Sequence, residues 1–409
     1  MAVSDSRTIR MRPLHLETAG DAFAALQAVG VDPYGLEAMA PKMIHHNLLL
    51  QGVECKVANI IKQEMLSLGG DAAVTRDAVS CRVSATDVIL MGTEKQLLRF
   101  AEKIFQQPFG LGKVAREIRE ILGHLSRKSA LLKTARRKME IGPRTLIMGI
   151  LNVTPDSFSD GGSYDSPEAA IAAGLRMAEE GADMLDIGGE SSRPGADPVS
   201  EEEELSRLIP VIRELSGRVP IPLSVDTMKA RVAREAIAEG AEIINDISAM
   251  HHDGAMAHMV AESGAAIVLM HMRGKPETMQ TGDLTYRSLL GEISDHLRKA
   301  IEAVERAGGS SLQTLIDPGI GFGKGVEDNL RLIRHLKELE GLGRPIVIGA
   351  SRKSFIGHVL GGGVSERAEG TAAVVATAIM NGARIMRVHD VAAMKKVAVM
   401  TDSLLVEGT

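Results

Sequence analysis

The sequence contains no Trp, only two Cys and just 2% aromatic residues. With Cys55 and Cys81 as its only thiols, the chain can build neither a disulfide framework nor a zinc site made of cysteines. We therefore expect both thiols to be reduced, as in a cytoplasmic protein. Hydrophobic residues still make up 44% of the chain, so the core must be assembled from aliphatic side chains and the 21 Met.

Strong net charge and long apolar runs are also missing. The formal net charge is −6 and the sequence pI is about 6.1, which leaves no basic patch for a nucleic acid. The first residues lack the apolar core of a signal peptide. The longest apolar runs, such as 372–380, are too short to span a bilayer. These absences predict a soluble cytoplasmic protein with no nucleic-acid or membrane partner.

The length of 409 residues suggests two domains. Residues 1–110 predict a small α+β module of unknown role, because strand and helix patterns follow one another in the order β-α-β-β-α. Pro33 is interpreted as a break in the chain after the first helix. Residues 111–143 predict a charged helical linker that contains a basic run at 133–138. Such a run could bind an anionic partner, but we interpret it as part of a solvated linker helix. The predicted helices of the module are 21–29, 55–68 and one capped by Thr93 that extends to Phe105.

From residue 144 to residue 409, apolar runs of strand length alternate regularly with helical patterns. Eight such units predict a (β/α)8 TIM barrel. An open doubly wound sheet is the second choice, because the segment has no Gly-rich dinucleotide motif. The predicted strands are 146–153, 184–190, 222–227, 242–247, 266–271, 312–319, 346–351 and 384–391.

Polar side chains end these apolar strands. The apolar run 146–151 ends at Asn152 and continues into an acidic loop, 152–162, and the later strands repeat this pattern. In a barrel the carboxyl ends of the strands meet on one face, where catalytic residues gather. The residues at the later strand ends are Ser191, Ser192, Arg193, Asp226, Asn245, Asp246, Met270, His271, Asp317, Ser351, Arg352, Lys353, Arg387 and His389.

Three of these residues offer hydrogen-bond acceptors from three different strands. The oxygens of Asp226, Asn245 and Asp317 suit a flat heterocycle that carries amino and ring N–H donors. Asp246 is adjacent to Asn245 and must face the opposite way, so we interpret it as a capping residue or as a residue that supports the site from behind.

Arg387 and His389 lie two residues apart on the last strand and therefore share a face. Phosphate sites of barrels lie near the last two strands. This pair, together with Ser351, Lys353 and Asn152, therefore predicts an anion or pyrophosphate pocket. Charge pairing with neighbouring acids is the alternative, and it is weaker because it must account for several cations.

Two other motifs predict no additional site. The Gly-rich loop 317–325 lacks the Gly-Lys-Ser/Thr ending of an NTPase phosphate loop. His251, His252 and His258 have no neighbours in the sequence that complete a metal ligand set, so we interpret them as surface residues.

Eight ordered segments around the predicted barrel form a pattern typical of one enzyme family. The segments are MGILNVTPDSFSDGG (148–162), DIGGESSRPGA (186–196), LSVDT (223–227), INDIS (244–248), LMHMRGKPETMQ (269–280), DPGIGFGK (317–324), GASRKSFIG (349–357) and RVHDV (387–391). Through them, residues 145–400 resemble the dihydropteroate synthase family of folate biosynthesis. The resemblance implies a transferase that joins 6-hydroxymethyl-7,8-dihydropterin diphosphate to p-aminobenzoate and releases pyrophosphate and 7,8-dihydropteroate. A modified aniline remains open as the natural amine.

The same resemblance implies roles for the matching residues. Arg387 would pack against the face of the pterin ring, and Mg²⁺ would be shared by the diphosphate, Asn152 and Asp160. The residues implied to hold the pterin are Asp226, Asn245, Asp317 and Lys353. Those implied to bind the diphosphate are Asn152, Arg387 and His389, with Ser192 and Arg193. The implied aminobenzoate pocket is formed by Phe158, Pro194, Phe322, Lys353 and Ser354.

The mechanism that the family implies is dissociative, because the diphosphate leaves before the arylamine attacks. The loops 152–162 and 191–197 would close over the reaction. The family also suggests a homodimer. The implied catalytic residues are Lys353, Arg387, His389 and Asp160.

Two departures from the family and two rival functions remain. Ser192 stands where many relatives have Thr, and residues 1–140 are absent from the core enzyme.

A pterin-binding methyltransferase of the methyltetrahydrofolate–corrinoid type would share the barrel, but the segment 351–354 and the two loops favour the synthase. A non-catalytic pterin-binding protein would not need Asn152 and Lys353 with Arg387 and His389.

Overall fold

A computed structural model describes residues 11–142, 144–153, 166–193, 195–363 and 366–405. The chain divides into two units, Met1–Ser126 and Arg127–Thr409. Within the described ranges, no helix combines the length and the apolar character needed to cross a bilayer.

The first unit is a small α+β fold, as the sequence predicts. Its three-stranded antiparallel sheet has the order β1-β3-β2, and one face packs on helices through a core that includes Ile61, Leu90, Phe100 and Leu111. The elements are α1 (Ala19–Val29), α2 (Pro33–Met43), β1 (His45–Glu54), α3 (Cys55–Ser67), β2 (Asp71–Val74), β3 (Ala85–Thr93), α4 (Glu94–Ile104) and α5 (Leu111–Leu125).

One helix of this unit contradicts the sequence interpretation. Pro33 does not break the chain but is the first residue of α2, where its missing N–H removes no hydrogen bond. The Asp32 carboxylate caps this helix by accepting a hydrogen bond from Gly35 N at 3.0 Å. The expected cap at Thr93 is confirmed, since its hydroxyl accepts from Gln96 N at 3.3 Å and the Gln96 side chain accepts from Thr93 N at 2.8 Å.

The helix predicted for residues 111–143 continues only to Leu125, and the later residues form a hairpin. Its strands are β4 (Ala130–Lys133) and β5 (Lys138–Ile141), which pair antiparallel. A hairpin replaces the helix because Leu132 and Ile141 can then insert into the interior of the barrel, where each is 1% exposed.

The turn of the hairpin holds a buried acid of the barrel, Glu242. The Thr134 hydroxyl donates to Glu242 Oε2 at 2.6 Å, and Arg137 Nη2 lies 2.6 Å from Glu242 Oε1. Part of the basic run at 133–138 is therefore an internal ion-pair partner, although the sequence alone suggests a solvated segment.

The second unit contains a closed barrel of eight parallel strands, each followed by a helix, which confirms the predicted (β/α)8 fold. Its strands are β6 (Leu146–Asn152), β7 (Met184–Gly188), β8 (Leu223–Asp226), β9 (Ile243–Asp246), β10 (Ala266–Met270), β11 (Thr314–Asp317), β12 (Ile346–Ile348) and β13 (Ala383–Val388). Its helices are α6 (Pro167–Glu179), α7 (Glu201–Ser216), α8 (Ala230–Glu239), α9 (Met256–Ser263), α10 (Leu289–Arg306), α11 (Val326–Arg334), α12 (Ser354–Leu360), α13 (Ala368–Met380) and α14 (Val391–Leu405).

The barrel core is aliphatic, as the scarcity of aromatic residues requires. Met148 and Val268 point into the barrel, whereas their neighbours Ile147 and Ile267 pack against the surrounding helices. Both faces of each strand are therefore buried, which explains why the strands are continuous apolar runs. Most of the polar side chains that face the site stand at or just after the carboxyl ends of these strands.

Candidate active site

The carboxyl ends of β6 to β9 place four residues in one cross-strand row. Asn152 pairs in register with Gly188, Gly188 with Asp226, and Asp226 with Asn245. Gly188 leaves a gap in this row, since a Cβ added there would lie 3.6 Å from Asn152 Oδ1 and 3.5 Å from Asp226 Cβ. Three of the predicted site residues are thereby brought to the same level of the barrel.

Arg387 reaches across the barrel from β13 and binds two carboxylates. Its Nε donates to Asp186 Oδ2 at 2.6 Å, and its Nη2 donates to Asp226 Oδ2 at 2.7 Å. Burial acts to lower the pKa of Arg387, but the two carboxylates outweigh it and raise the pKa above its ordinary value. Arg387 is therefore a permanent cation in the site. Its pairing with Asp186 and Asp226 also agrees with the alternative interpretation of the sequence, in which the cations pair with neighbouring acids.

Asp186 is the site residue that the sequence analysis did not assign. It lies inside β7, is fully buried, and its Oδ2 also accepts a hydrogen bond from Asn245 Nδ2 at 2.9 Å. Its other oxygen has no hydrogen-bond partner among the described residues. One feature of the sequence could have identified Asp186, namely that it is the single acid within the apolar run 184–188. A buried carboxylate needs a cation or hydrogen-bond donors beside it, so such an acid indicates a polar site.

Asn245 and Asp246 face opposite ways, as their adjacency predicts. The Asn245 amide N–H donates to Asp186, so its carbonyl oxygen is the atom that can accept a hydrogen bond from a ligand. Asp246 accepts hydrogen bonds from Ser248 N at 2.8 Å and from Met250 N at 2.7 Å. The interpretation of Asp246 as a capping residue is confirmed.

Lys353 and Asp317 form the opposite side of the site. Asp317 ends β11, and its Oδ1 accepts a hydrogen bond from Gly319 N at 2.7 Å. Lys353 donates to the Ile320 carbonyl, and its Nζ lies 4.2 Å from the centroid of the Phe322 ring. Burial lowers the pKa of Lys353 to about 7, although the neighbouring carboxylate of Asp317 acts in the opposite direction. Burial likewise raises the pKa of Asp317.

Burial also places the titration of Asp226 near neutrality. Desolvation and the neighbouring Asp186 raise the pKa of Asp226 to about 7, although Arg387 acts to lower it. Asp226 and Lys353 therefore both change charge close to pH 7.

His389 is held by the Ser351 hydroxyl. Its Nδ1 lies 3.0 Å from Ser351 Oγ, and its backbone N–H donates to the same oxygen at 3.3 Å. Burial, together with the cations Arg387 and Arg352, lowers the pKa of His389 to about 4. The imidazole is therefore neutral at pH 7, so the fixed cation of the predicted anion pocket is Arg387.

A narrow cleft adjoins this cluster on the β7–β8 side. Apolar side chains, among them Ile247, Met279 and Phe322, pack together beside the polar cluster. The lining residues of the cleft are Glu190, Ser191, Ser192, Glu204, Asp226, Thr227, Met228, Ile247 and Pro276.

A buried ion network supports the edge of this cleft. Lys229 Nζ donates to Glu190 Oε2 and to Glu204 Oε2, each at 2.6 Å, and to the carbonyl of Val199 at 2.7 Å. Burial acts to lower the pKa of Lys229, but hydrogen bonds to the two carboxylates raise it overall. The network connects the segment after β7 to the start of α8.

The remaining predicted residues have different positions. Ser192 lines the cleft, Arg193 is exposed after β7, and Ser354 is exposed at the start of α12. His251, His252 and His258 are exposed, as expected. Three residues of the predicted site lie outside the described ranges, namely Phe158, Asp160 and Pro194.

Comparison with known proteins gives consistent matches to the barrel. The model of a family described as pterin binding enzyme matches residues 148–389. The dihydropteroate synthase of Bacillus subtilis (strain 168) is 45% identical over 285 residues, which cover 70% of this chain and 97% of that protein. The solved structure of Xanthomonas albilineans dihydropteroate synthase with 4-aminobenzoic acid is 44% identical, has a TM-score of 0.63, and is matched over 68% of this chain and 100% of its own.

One relative also matches the first unit. A probable bifunctional folylpolyglutamate synthase/dihydropteroate synthase of Halobacterium salinarum is 40% identical over 394 residues. The match covers 95% of this chain but 47% of that protein, so this chain spans about half of its length.

Proposed function

The chain belongs to the pterin-binding enzyme family and, within it, to the dihydropteroate synthases, and we propose that its barrel joins 6-hydroxymethyl-7,8-dihydropterin diphosphate to p-aminobenzoate. The products of this transferase are 7,8-dihydropteroate and pyrophosphate. The observation that carries the proposal is the row from Asn152 to Asn245 with Arg387 beside it, because it combines acceptor oxygens with a permanent cation.

Acceptors for the pterin come from three strands. Asp226 binds Arg387 through one oxygen and keeps the other for a ligand. Asn245 presents its carbonyl oxygen, and Asp317 keeps the oxygen that does not bind Gly319. These groups would bind the amino and ring N–H donors of the pterin. Lys353 would donate to its acceptor atoms, and the apolar cluster around Phe322 would cover its ring.

Donors for the diphosphate lie at the other end of the row. Arg387 supplies the fixed charge, and the neutral His389 supplies an N–H. Ser192 and Arg193 extend from the segment after β7. Arg387 would serve both groups, because it would also pack against the face of the pterin ring.

Magnesium fits the diphosphate end as an ion carried mainly by the substrate. Asn152 offers one amide oxygen, and the described residues contain no cluster of three acidic, His or Cys ligands. Mg²⁺ usually keeps few protein ligands and binds phosphates and water. Asp160 is the proposed second ligand. The bound ion would neutralise charge on the leaving diphosphate.

We propose a dissociative substitution. The bond between the pterin methylene carbon and the diphosphate oxygen breaks with its electron pair on oxygen, and Arg387 with His389 stabilises that charge. The arylamine nitrogen then forms the new C–N bond and loses its proton to solvent. A strong base is unnecessary because a neutral arylamine already attacks a cation. The amine would lie near Phe322, Lys353 and Ser354, and the proposed catalytic residues are Lys353, Arg387, His389 and Asp160.

The direct test is pyrophosphate release from the pterin diphosphate with Mg²⁺ and a panel of arylamines. We expect p-aminobenzoate to be the best amine. Asp226→Ala should abolish pterin binding, and Lys353→Ala or Arg387→Ala should abolish turnover. Arg234→Ala on the surface of α8 is the matched control, since that side chain is 61% exposed. Wild-type rates in the three site variants would refute the assignment, and methyl transfer to cobalamin without pyrophosphate release would favour the rival methyltransferase.

The state of the enzyme in solution is a further part of the proposal. Family membership supports a cytoplasmic homodimer. Sedimentation of the full chain at several concentrations tests the dimer, and a monomer at all of them would exclude it.

A further inference from the structure

Cys55 and Cys81, the only cysteines of the chain, meet in the first unit. Their Sγ atoms are 2.9 Å apart. Cys55 is the first residue of α3 and is 3% exposed, whereas Cys81 is exposed in the turn that follows the 3-10 segment Arg76–Ala78. One thiol is therefore accessible to reagents and the other lies directly behind it.

Hydrogen-bond donors lie close to both sulfurs. The Cys55 thiol lies 2.9 Å from Cys81 Sγ and 2.9 Å from Ala78 O, and Asn59 Nδ2 lies 3.8 Å from Cys81 Sγ and 3.9 Å from Cys55 Sγ. The Asn59 amide is itself fixed by a hydrogen bond to Ala78 O at 2.8 Å. Donors around a sulfur favour its thiolate. The hydrogen bond to Cys81, together with burial, raises the pKa of the Cys55 thiol above its ordinary value.

The backbone holds the accessible thiol in place. Cys81 has a φ of 48°, in the left-handed region that is unfavourable for residues with a Cβ. Its turn is closed by hydrogen bonds from Cys81 N to Ala78 O and from Arg82 N to Asp77 O, both of 3.1 Å. The proximity of the two sulfurs is therefore built into the turn.

We propose that Cys55 and Cys81 are a redox-active dithiol that reacts with small-molecule disulfides. The Cys81 thiolate attacks a disulfide RSSR, which forms a mixed disulfide and releases RS⁻. Cys55 then loses its proton to solvent and attacks the Cys81 sulfur, which expels the second RS⁻. Two protein thiols are oxidised to one disulfide, and RSSR is reduced to two RSH.

The first test treats the full-length protein with oxidised glutathione and measures the intact mass. The wild type should lose two hydrogens and carry no adduct. Cys55→Ser should instead accumulate one glutathione on Cys81, because the residue that resolves the mixed disulfide is gone. The matched variant Cys81→Ser should react much more slowly, since its thiol is buried. A wild type that stays reduced or accumulates the adduct would overturn the proposal.

The second test needs no variant. Wild-type protein is equilibrated with glutathione redox buffers in its native state and in denaturant. The native state should favour the disulfide by about 100-fold, because folding holds the two thiols together. Equal disulfide formation in both states would overturn the proposal.

A third test concerns the donor beside the thiols. Asn59→Ala should slow formation of the mixed disulfide several-fold and leave the final oxidised product unchanged. An unchanged rate would contradict the role of this donor.

Discussion

Removal of residues before Arg127 should leave an active barrel, whereas removal of residues before Arg144 should not. The two truncated chains differ by the hairpin β4–β5. Burial of Leu132 and Ile141, each 1% exposed, contributes about 2 kcal/mol per side chain. Loss of the hairpin also leaves the buried carboxylate of Glu242 without its partners, which costs about 3–5 kcal/mol.

The combined loss of about 7–9 kcal/mol is comparable with the whole stability of a typical domain, about 5–15 kcal/mol. Denaturant unfolding followed by circular dichroism, with pyrophosphate release in parallel, measures the difference between the two chains. Leu132→Ala in the longer chain is the graded control, with an expected loss of about 2–5 kcal/mol. Equal unfolding midpoints for the two truncated chains would refute the structural role of the hairpin.

Three further predictions concern buried charges. Lys229→Met should lower the free energy of unfolding by about 3–5 kcal/mol, because Glu190 and Glu204 lose their cation, and an unchanged denaturation midpoint would contradict this. Asp186→Asn should reduce kcat/KM for pyrophosphate release by about 10- to 100-fold, because Arg387 loses one of its two charged partners, and wild-type kinetics would exclude that role. Asp226→Asn should gain stability relative to the wild type as the pH rises from about 4 to about 7. Because folding raises the Asp226 pKa from 3.8 to about 7, the wild type loses the stabilising contribution of the protonated form over that range, and a constant difference would refute this.

The sequence was most informative about the barrel. Runs buried on both faces are mostly apolar, so polar residues such as Asn152 and Asp226 mark the ends of their strands. The meeting of these ends then follows from closure of the barrel. The neutrality of His389 could not be predicted, because it depends on burial and on cations from distant parts of the chain.

Local sequence signals give wrong predictions where their meaning depends on position in the fold. Pro33 ends a helix in most contexts but begins one when Asp32 caps it. The basic run at 133–138 is typical of a solvated helix. Its partner Glu242 lies more than 100 residues later in the chain, so the sequence alone does not reveal their contact. Asp186 was overlooked because one acid inside an apolar strand has no visible partner in the sequence.

Asp186 also connects the two halves of the proposed first substrate. Asn245, which would bind the pterin, and Arg387, which would bind the diphosphate, both donate to the same Asp186 oxygen. A ligand that binds Asn245 or Arg387 and weakens its hydrogen bond to Asp186 changes the hydrogen bond between Asp186 and the other residue. Pterin recognition and diphosphate recognition are therefore thermodynamically linked, and by reciprocity each should alter the affinity for the other by the same factor. Substitutions of Asn245 and Arg387 are accordingly expected to be non-additive, with Asp186 as the origin of their interaction energy.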